Sequence, residues 1–202
     1  MTAGTTTATD LAAYFAPPLA ELRRDPETPE RVNELLDALE AGTVRAAEPD
    51  TSGWRVNTWV KHGILAAFAL SETVELPGWP GGAVDKSLVP PRQVDLRDGI
   101  RLVPGGTSVR RGAHLAEGVV VMPPSYVNTG ASVGAGSMVD SHVLVGSCAQ
   151  VGERVHLSAG VQLGGVLEPV GARPVIVEDD AFIGAQCGLF EGVVVGERAV
   201  LA

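Results

Sequence analysis

Aromatic residues make up only 4% of this 202-residue chain, so a core must be assembled from the Val, Leu, Ile and Ala that dominate its 45% apolar content. Lysine is absent after Lys86, and the formal net charge is −9. A nucleic-acid reader needs a basic stripe to displace counterions from phosphates, so no nucleic-acid partner is expected. The acidity reads as solubility. With only two cysteines, Cys148 and Cys187, a disulfide framework and a cysteine metal cluster are both excluded. The longest apolar run, Ile64 to Leu70, is far too short to span a bilayer, so no membrane association is expected. The opening MTAGTTTATDLAAYFA lacks the basic-then-apolar order of a signal peptide, and a cytoplasmic protein is expected.

Glycine, by contrast, is plentiful, and 17 of the 25 lie from Gly105 onward. They accompany a repeat. Stepping by six from Val109 gives Val109, Leu115, Val121, Val127, Val133, Val139, Val145, Val151, Leu157 and Leu163 without a miss. The phase breaks in EPVGARP and resumes at Val177, Ile183, Leu189, Val195 and Leu201. The 14 residues from 163 to 177 read as two hexads plus two inserted residues. Two positions before each aliphatic, every residue is small or β-branched, from Thr107 and Ala113 to Cys187 and Ala199. The position after the aliphatic is often glycine, as at Gly134, Gly146, Gly152 and Gly164, where it would permit turn conformations.

No helix has period six, and an isolated strand has period two. A short strand plus a turn does fit, and three such units close a triangular coil whose copies stack as parallel strands. Fifteen hexads give five coils, roughly 24 Å tall at about 4.8 Å per layer. The aliphatic residues fill the prism and the small residues lie near its corners. Cys187 occupies an inward small-residue position and is core filler. Cys148 sits at an outward turn position, where a structural role outweighs a nucleophilic one because no cation stands beside it in sequence.

The first hundred residues read differently. Thr28 and Pro29 serve as N-cap and first residue of a helix whose apolar face is Val32, Leu35, Leu36 and Leu39, ended by Gly42. A second helix runs from Asn57 to about Ser71, burying Trp59, Ile64, Leu65 and Phe68. A shorter one, around Asp10 to Arg24, is broken at Pro17-Pro18. The expected organisation is therefore α+β: a helical domain over residues 1–77, an irregular linker over 78–100, and a parallel β-helix over 101–202.

Four segments together resemble the tetrahydrodipicolinate N-succinyltransferase family of diaminopimelate and lysine biosynthesis. They are RAAEPDTSGWRVNTWVKHGILAAFAL (45–70), MPPSYVNTGASVGAGSMVDSHVLVGSCAQVG (122–152), VHLSAGVQLGGVLEP (155–169) and VIVEDDAFIGA (175–185). The resemblance implies that the β-helix is left-handed, as in hexapeptide-repeat acyltransferases. It implies succinyl transfer from succinyl-CoA to the amino group of the opened tetrahydrodipicolinate by a homotrimer, with sites between neighbouring prisms. No metal, bound cofactor or covalent intermediate is implied.

By the same resemblance Arg101, in GIRLVP, binds a substrate carboxylate, and Asp140, in SMVD, binds the substrate, orients its amine and could accept a proton. Gly164 and Gly165 are candidates for meeting the acyl-CoA thioester through backbone N–H groups. His142 is the alternative base, whereas His114, His142 and His156 lack the spacing of a metal site. The chain departs from the family in two respects. Gly188 stands where many members carry a functional glutamate, a role that does not pass to Glu191. By the resemblance the family continues with further coils and a CoA-binding tail where this sequence stops at Ala202, so a truncated chain is expected. Another CoA-dependent acyl transfer, such as acetylation, and an inactive trimeric scaffold therefore stay open as alternatives.

Overall fold

The computed structural model describes residues 7–79 and 81–202. Residues 1–6 of the opening stretch and Pro80 of the linker lie outside them. The expected first helix is two short ones, α1 (Ala8–Tyr14) and α2 (Leu19–Leu22), parted at the proline pair. Next comes α3 (Thr28–Glu40), with proline in its first turn. Thr28 is fully buried and does not cap it. Its hydroxyl donates to Leu22 O at 2.7 Å and lies 2.9 Å from the Tyr14 hydroxyl, tying α3 to the turn before it. A hairpin follows, β1 (Ala47–Asp50) paired antiparallel with β2 (Gly53–Val56), and then α4 (Thr58–Leu70). Asn57 precedes α4 without capping it, because its amide donates to Arg45 O at 2.8 Å instead.

The segment expected to be an irregular linker is more ordered than that. A second hairpin, β3 (Thr73–Glu75) with β4 (Val84–Lys86), begins inside the helical domain and ends inside the linker. Pro91 bridges to Arg110, and a single 3-10 turn spans Leu96–Asp98.

From Arg101 onward sixteen two-residue strands form three parallel walls. The first wall contains Arg101–Leu102, Val120–Val121, Met138–Val139, His156–Leu157, Phe182–Ile183 and Val200–Leu201. The second contains Ser108–Val109, Tyr126–Val127, Leu144–Val145, Gln162–Leu163 and Gly188–Leu189. The third contains His114–Leu115, Ser132–Val133, Gln150–Val151, Ile176–Val177 and Val194–Val195. Inside, Val133, Val139, Val145, Leu157 and Ile183 are fully buried, together with the small residues Ala113, Ala149 and Val161. Cys187 packs against this core, as expected.

Two readings of the repeat need correction. Residues 163 to 177 hold one hexad and eight inserted residues, because Gln150 pairs with Ile176, and Gln162 with Gly188, twenty-six residues on. The usual step is eighteen, as in Ser132 with Gln150. The glycines after the aliphatics do not supply the turn either. The left-handed residue comes two positions later, at Gly112 (φ 77°), Gly130 (φ 79°) and, without glycine, His142 (φ 62°) and Cys148 (φ 67°). The earlier glycines permit close stacking: a Cβ on Gly146 would stand 2.2 Å from Gly165 N and 2.6 Å from Gly164 C.

The helical domain rests on one corner of the prism, the column Gly112, Gly130 and Cys148. A Cβ at Gly112 would meet Leu36 at 2.8 Å, and one at Gly130 would meet Ile64 at 2.7 Å and the Cys148 sulfur at 3.0 Å. Cys148 thus points away from the prism yet is fully buried, in the core of the helical domain. Cross-domain bonds fasten the joint, from Arg111 to Asn33 and Asp37 at 2.7 Å each and from Arg45 to Gln150 at 2.9 Å.

Candidate active site

Outward side chains of a wall recur every eighteen residues, or twenty-six across the inserted loop, and on the second wall these are Ser108, Tyr126, Leu144, Gln162 and Gly188. Tyr126, Leu144 and Gln162 floor a shallow groove of about 390 Å³, edged by Pro124 and His142. Burial pushes the Tyr126 hydroxyl above its ordinary pKa, partly offset by Arg110, so it stays a neutral hydrogen-bonding group. The Gln162 amide is held by the carbonyls of Gly160, Val161 and His142 at 3.2 Å each. The floor is therefore one half-apolar strip with its polar group fixed.

Asp140 stands on the corner between the first and second walls, two residues before His142. Its backbone is bound on both sides, N–H to Leu157 O at 3.0 Å and O from the Ser125 hydroxyl at 2.8 Å. Oδ1 accepts the Ser141 N–H at 2.7 Å. Among the described residues Oδ2 has no partner and no cation pairs with the carboxylate. A half-buried acid with one free oxygen is equipped to receive a charged amine. His142 is exposed at the same corner, with its N–H committed to Pro124 O at 2.7 Å.

Arg101 lies on the first wall, and its column runs through Val120 to Met138. Its guanidinium is exposed and makes no ion pair among the described residues. Two layers of about 4.8 Å separate its strand from the coil that carries Asp140. One prism thus places both groups along the same wall without bringing them into contact.

Gly164 and Gly165 follow the second-wall strand Gln162–Leu163, at the start of the inserted loop and beyond the lining of the groove. They are not equivalent. Gly164 donates its N–H to Leu189 O at 2.8 Å, whereas the Gly165 N–H has no backbone acceptor among the described residues and Gly165 is exposed. Of the two amides, only that of Gly165 is left for an incoming oxygen. Sequence reasoning missed Tyr126, Leu144 and Gln162, which the eighteen-residue step on the second wall would have grouped.

The three prism histidines lie apart: His114 on the third wall, where Glu40 O holds it at 2.9 Å, His156 on the first, stacked on Phe182, and His142 on the corner. Among the described residues no three His, Cys, Asp or Glu side chains are grouped to hold a metal ion. No helix there is long and apolar enough to cross a membrane. Cys148 is no nucleophile, since burial pushes its thiol up to about 12, an effect the neighbouring Lys61 only partly offsets. A larger cleft of about 540 Å³ lies between the first hairpin and the third wall, walled by Arg45, Trp54, Glu153 and Asp179. It contains none of the residues expected from sequence.

Comparison with known proteins finds two family matches. Residues 18–70 match the tetrahydrodipicolinate N-succinyltransferase N-terminal domain, and residues 174–202 match the hexapeptide repeat of succinyl-transferase. The second match accords with the left-handed form of the parallel β-helix. Relatives named 2,3,4,5-tetrahydropyridine-2,6-dicarboxylate N-succinyltransferase include one from Methylorubrum populi, 46% identical over 179 residues, which cover 86% of this chain and 63% of the relative. One from Bradyrhizobium diazoefficiens is 48% identical over 183 residues, covering 87% and 64%. One from Rhodopseudomonas palustris is 46% identical over 198 residues, covering 95% and 70%. The chain thus spans 63 to 70% of the length of these relatives.

Proposed function

Since the chain belongs to the tetrahydrodipicolinate N-succinyltransferase family, we propose that it moves a succinyl group from succinyl-CoA to the amino group of the opened tetrahydrodipicolinate. The observation that supports this reading is the carboxylate of Asp140, whose Oδ2 is without a partner among the described residues, on the corner that carries the groove-edging His142.

The amine must lose a proton and attack the thioester carbon. Asp140 orients the ammonium and accepts that proton as the N–C bond forms. The carbonyl oxygen becomes an oxyanion, and the Gly165 N–H meets it where the charge develops. Collapse breaks the C–S bond and releases CoA as the thiolate, which takes up the second proton, lost by the nitrogen as the amide forms, to give the free thiol. A thioester is already activated, so the reaction needs no metal and no resident cofactor. Arg101 holds an acceptor carboxylate, its planar fork suiting that group better than an ammonium would.

Because Arg101 and Asp140 do not meet within one prism, the reading includes a homotrimer in which the wall of a neighbour closes the site. The first wall's exposed Phe182 and Val200 support such packing. The place of work is the cytoplasm, where succinyl-CoA and the acceptor would be found together.

The test is thiol release from succinyl-CoA and from acetyl-CoA, each with and without tetrahydrodipicolinate, on protein of known oligomeric state. Acceptor-dependent release from succinyl-CoA is the expected result. Preference for acetyl-CoA would reassign the donor, and no release from a folded trimer would leave a scaffold.

A further inference from the structure

Lys61 is fully buried on α4, and its ammonium donates to Ala172 O at 2.5 Å. Of its three donors this is the one hydrogen bond among the described residues. Burial depresses its pKa, partly offset by Cys148 and Glu191. Removing an ammonium from water is costly, and an apolar side chain of similar volume is often as stable or more so. A lysine is therefore a poor choice for filling space, and its presence here points to a role beyond packing.

Its acceptor indicates that role. Ala172 belongs to the inserted loop, which leaves the ladder after Gly164 and rejoins it at Val175, whose carbonyl accepts Gln150 N–H at 2.9 Å. Inside the loop the backbone is thinly held. Val166 N–H reaches Ser147 O at 3.0 Å, Ala172 N–H closes a turn on Pro169 O at 2.9 Å, and Arg173 O accepts from Gly192 at 2.9 Å. Leu167 packs on the helical core. The loop begins with the exposed Gly165 amide and is fastened near its far end by a side chain of the other domain.

We infer that Lys61 is a positioning residue for the acyl donor: its buried ammonium pins the loop at Ala172 and thereby steadies the Gly165 amide at the loop's start, beside the second wall. The inference rests on the acyl-donor reading of Gly165 given above. It gives the helical domain a part in the reaction, although none of its described residues lines the groove. Ala172 follows Gly165 by seven residues, and between them the backbone has one tie to the ladder, Val166 N–H to Ser147 O at 3.0 Å, so slack at Ala172 is resisted there by a single hydrogen bond.

Lys61→Met keeps the length and burial of the side chain and removes its donors. The variant should unfold at the parent's temperature to within a few degrees, since no buried charge is left unpaired. Hydrogen exchange of peptides covering 164–174 should be about tenfold faster, a local rather than a global opening. Calorimetric titration with coenzyme A, which needs no turnover, should show about fivefold weaker binding. Unchanged exchange would overturn the inference, and so would faster exchange with unchanged affinity for coenzyme A. A parent chain that binds no coenzyme A would instead sink the acyl-donor reading itself, which separates that failure from a failure of Lys61.

Discussion

The ring of Phe190 lies across Gly188: a Cβ on that glycine would meet two ring carbons at 2.8 and 3.0 Å. The same ring approaches the Cβ position of Gly164 at 3.0 Å, so one aromatic covers glycines of two successive coils. Phe190 is 63% exposed and can swing away, so Gly188→Ala should cost only about 1 kcal/mol. A carboxylate at 188 would project outward from the second wall, in the column of Gln162 and Leu144. Gly188→Glu combined with Phe190→Ala should raise turnover about tenfold over Phe190→Ala alone, read by thiol release. Equal rates would show that a proton acceptor on this wall adds nothing.

Asp140→Asn keeps an oxygen for the Ser141 N–H but removes the negative charge. It should lower kcat about 100-fold or more with thermal unfolding unchanged. Arg101→Met should raise KM for the acceptor about tenfold and leave KM for succinyl-CoA alone. An Asp140→Asn enzyme as fast as the parent would remove Asp140 from the chemistry.

Gly146 is the tightest point beside the inserted loop. Its Cβ position is 2.2 Å from Gly165 N and 2.6 Å from Gly164 C, both backbone atoms that cannot rotate aside. Gly146→Ala should destabilise the chain by about 3 kcal/mol, measured by urea unfolding, and weaken coenzyme A binding with it. Gly53, which has nothing within 4 Å of its Cβ position, marks the contrast: strain there is confined to its own backbone.

Cys148 carries a pH dependence of known sign. Folding raises its thiol from an ordinary 9.0 to about 12, so the unfolded chain ionises first as pH climbs. Its contribution is constant below about pH 9, and between about 9 and 12 stability falls by up to about 1.4 kcal/mol per unit. Lys61 works against this, because its depressed pKa makes the unfolded chain the better proton binder in its own window. The comparison is therefore parent against Cys148→Ala: urea midpoints should converge as pH rises from 8 to 10. Below pH 9 a thiol reagent should label Cys187 in the native chain and Cys148 only after unfolding.

The stepping of Val109 to Leu163 made the prism legible, because an inward aliphatic at every sixth position suits neither a helix nor an isolated strand. The inserted loop was not, since 14 residues fit two hexads plus two as well as one plus eight, and only the pairing of Gln150 with Ile176 distinguishes them. The hairpins of Ala47–Val56 and Thr73–Lys86 are short, polar and half exposed, which leaves no alternation to detect. Cys148 looked exposed because its cover comes from α4, far away in sequence. At the site, SMVD and GGVLEP pointed to Asp140 and Gly165, yet nothing local says that Gly164 has already given its N–H to Leu189. Lys61 was hidden for a related reason. A lysine within an apolar helix looks like a solvated residue until its acceptor is found on another domain.

The inserted loop leaves the ladder between Leu163 and Ile176 and returns in register, so that Gln162 and Gly188 still pair, twenty-six residues apart. Length added at a corner is thus invisible to the stack, which responds only to where the chain comes back. A prism of this kind can lengthen or trim a corner in descent without rebuilding any wall, and new contacts can be tried there one at a time. The helical domain then decides which of those lengths acquire a shape.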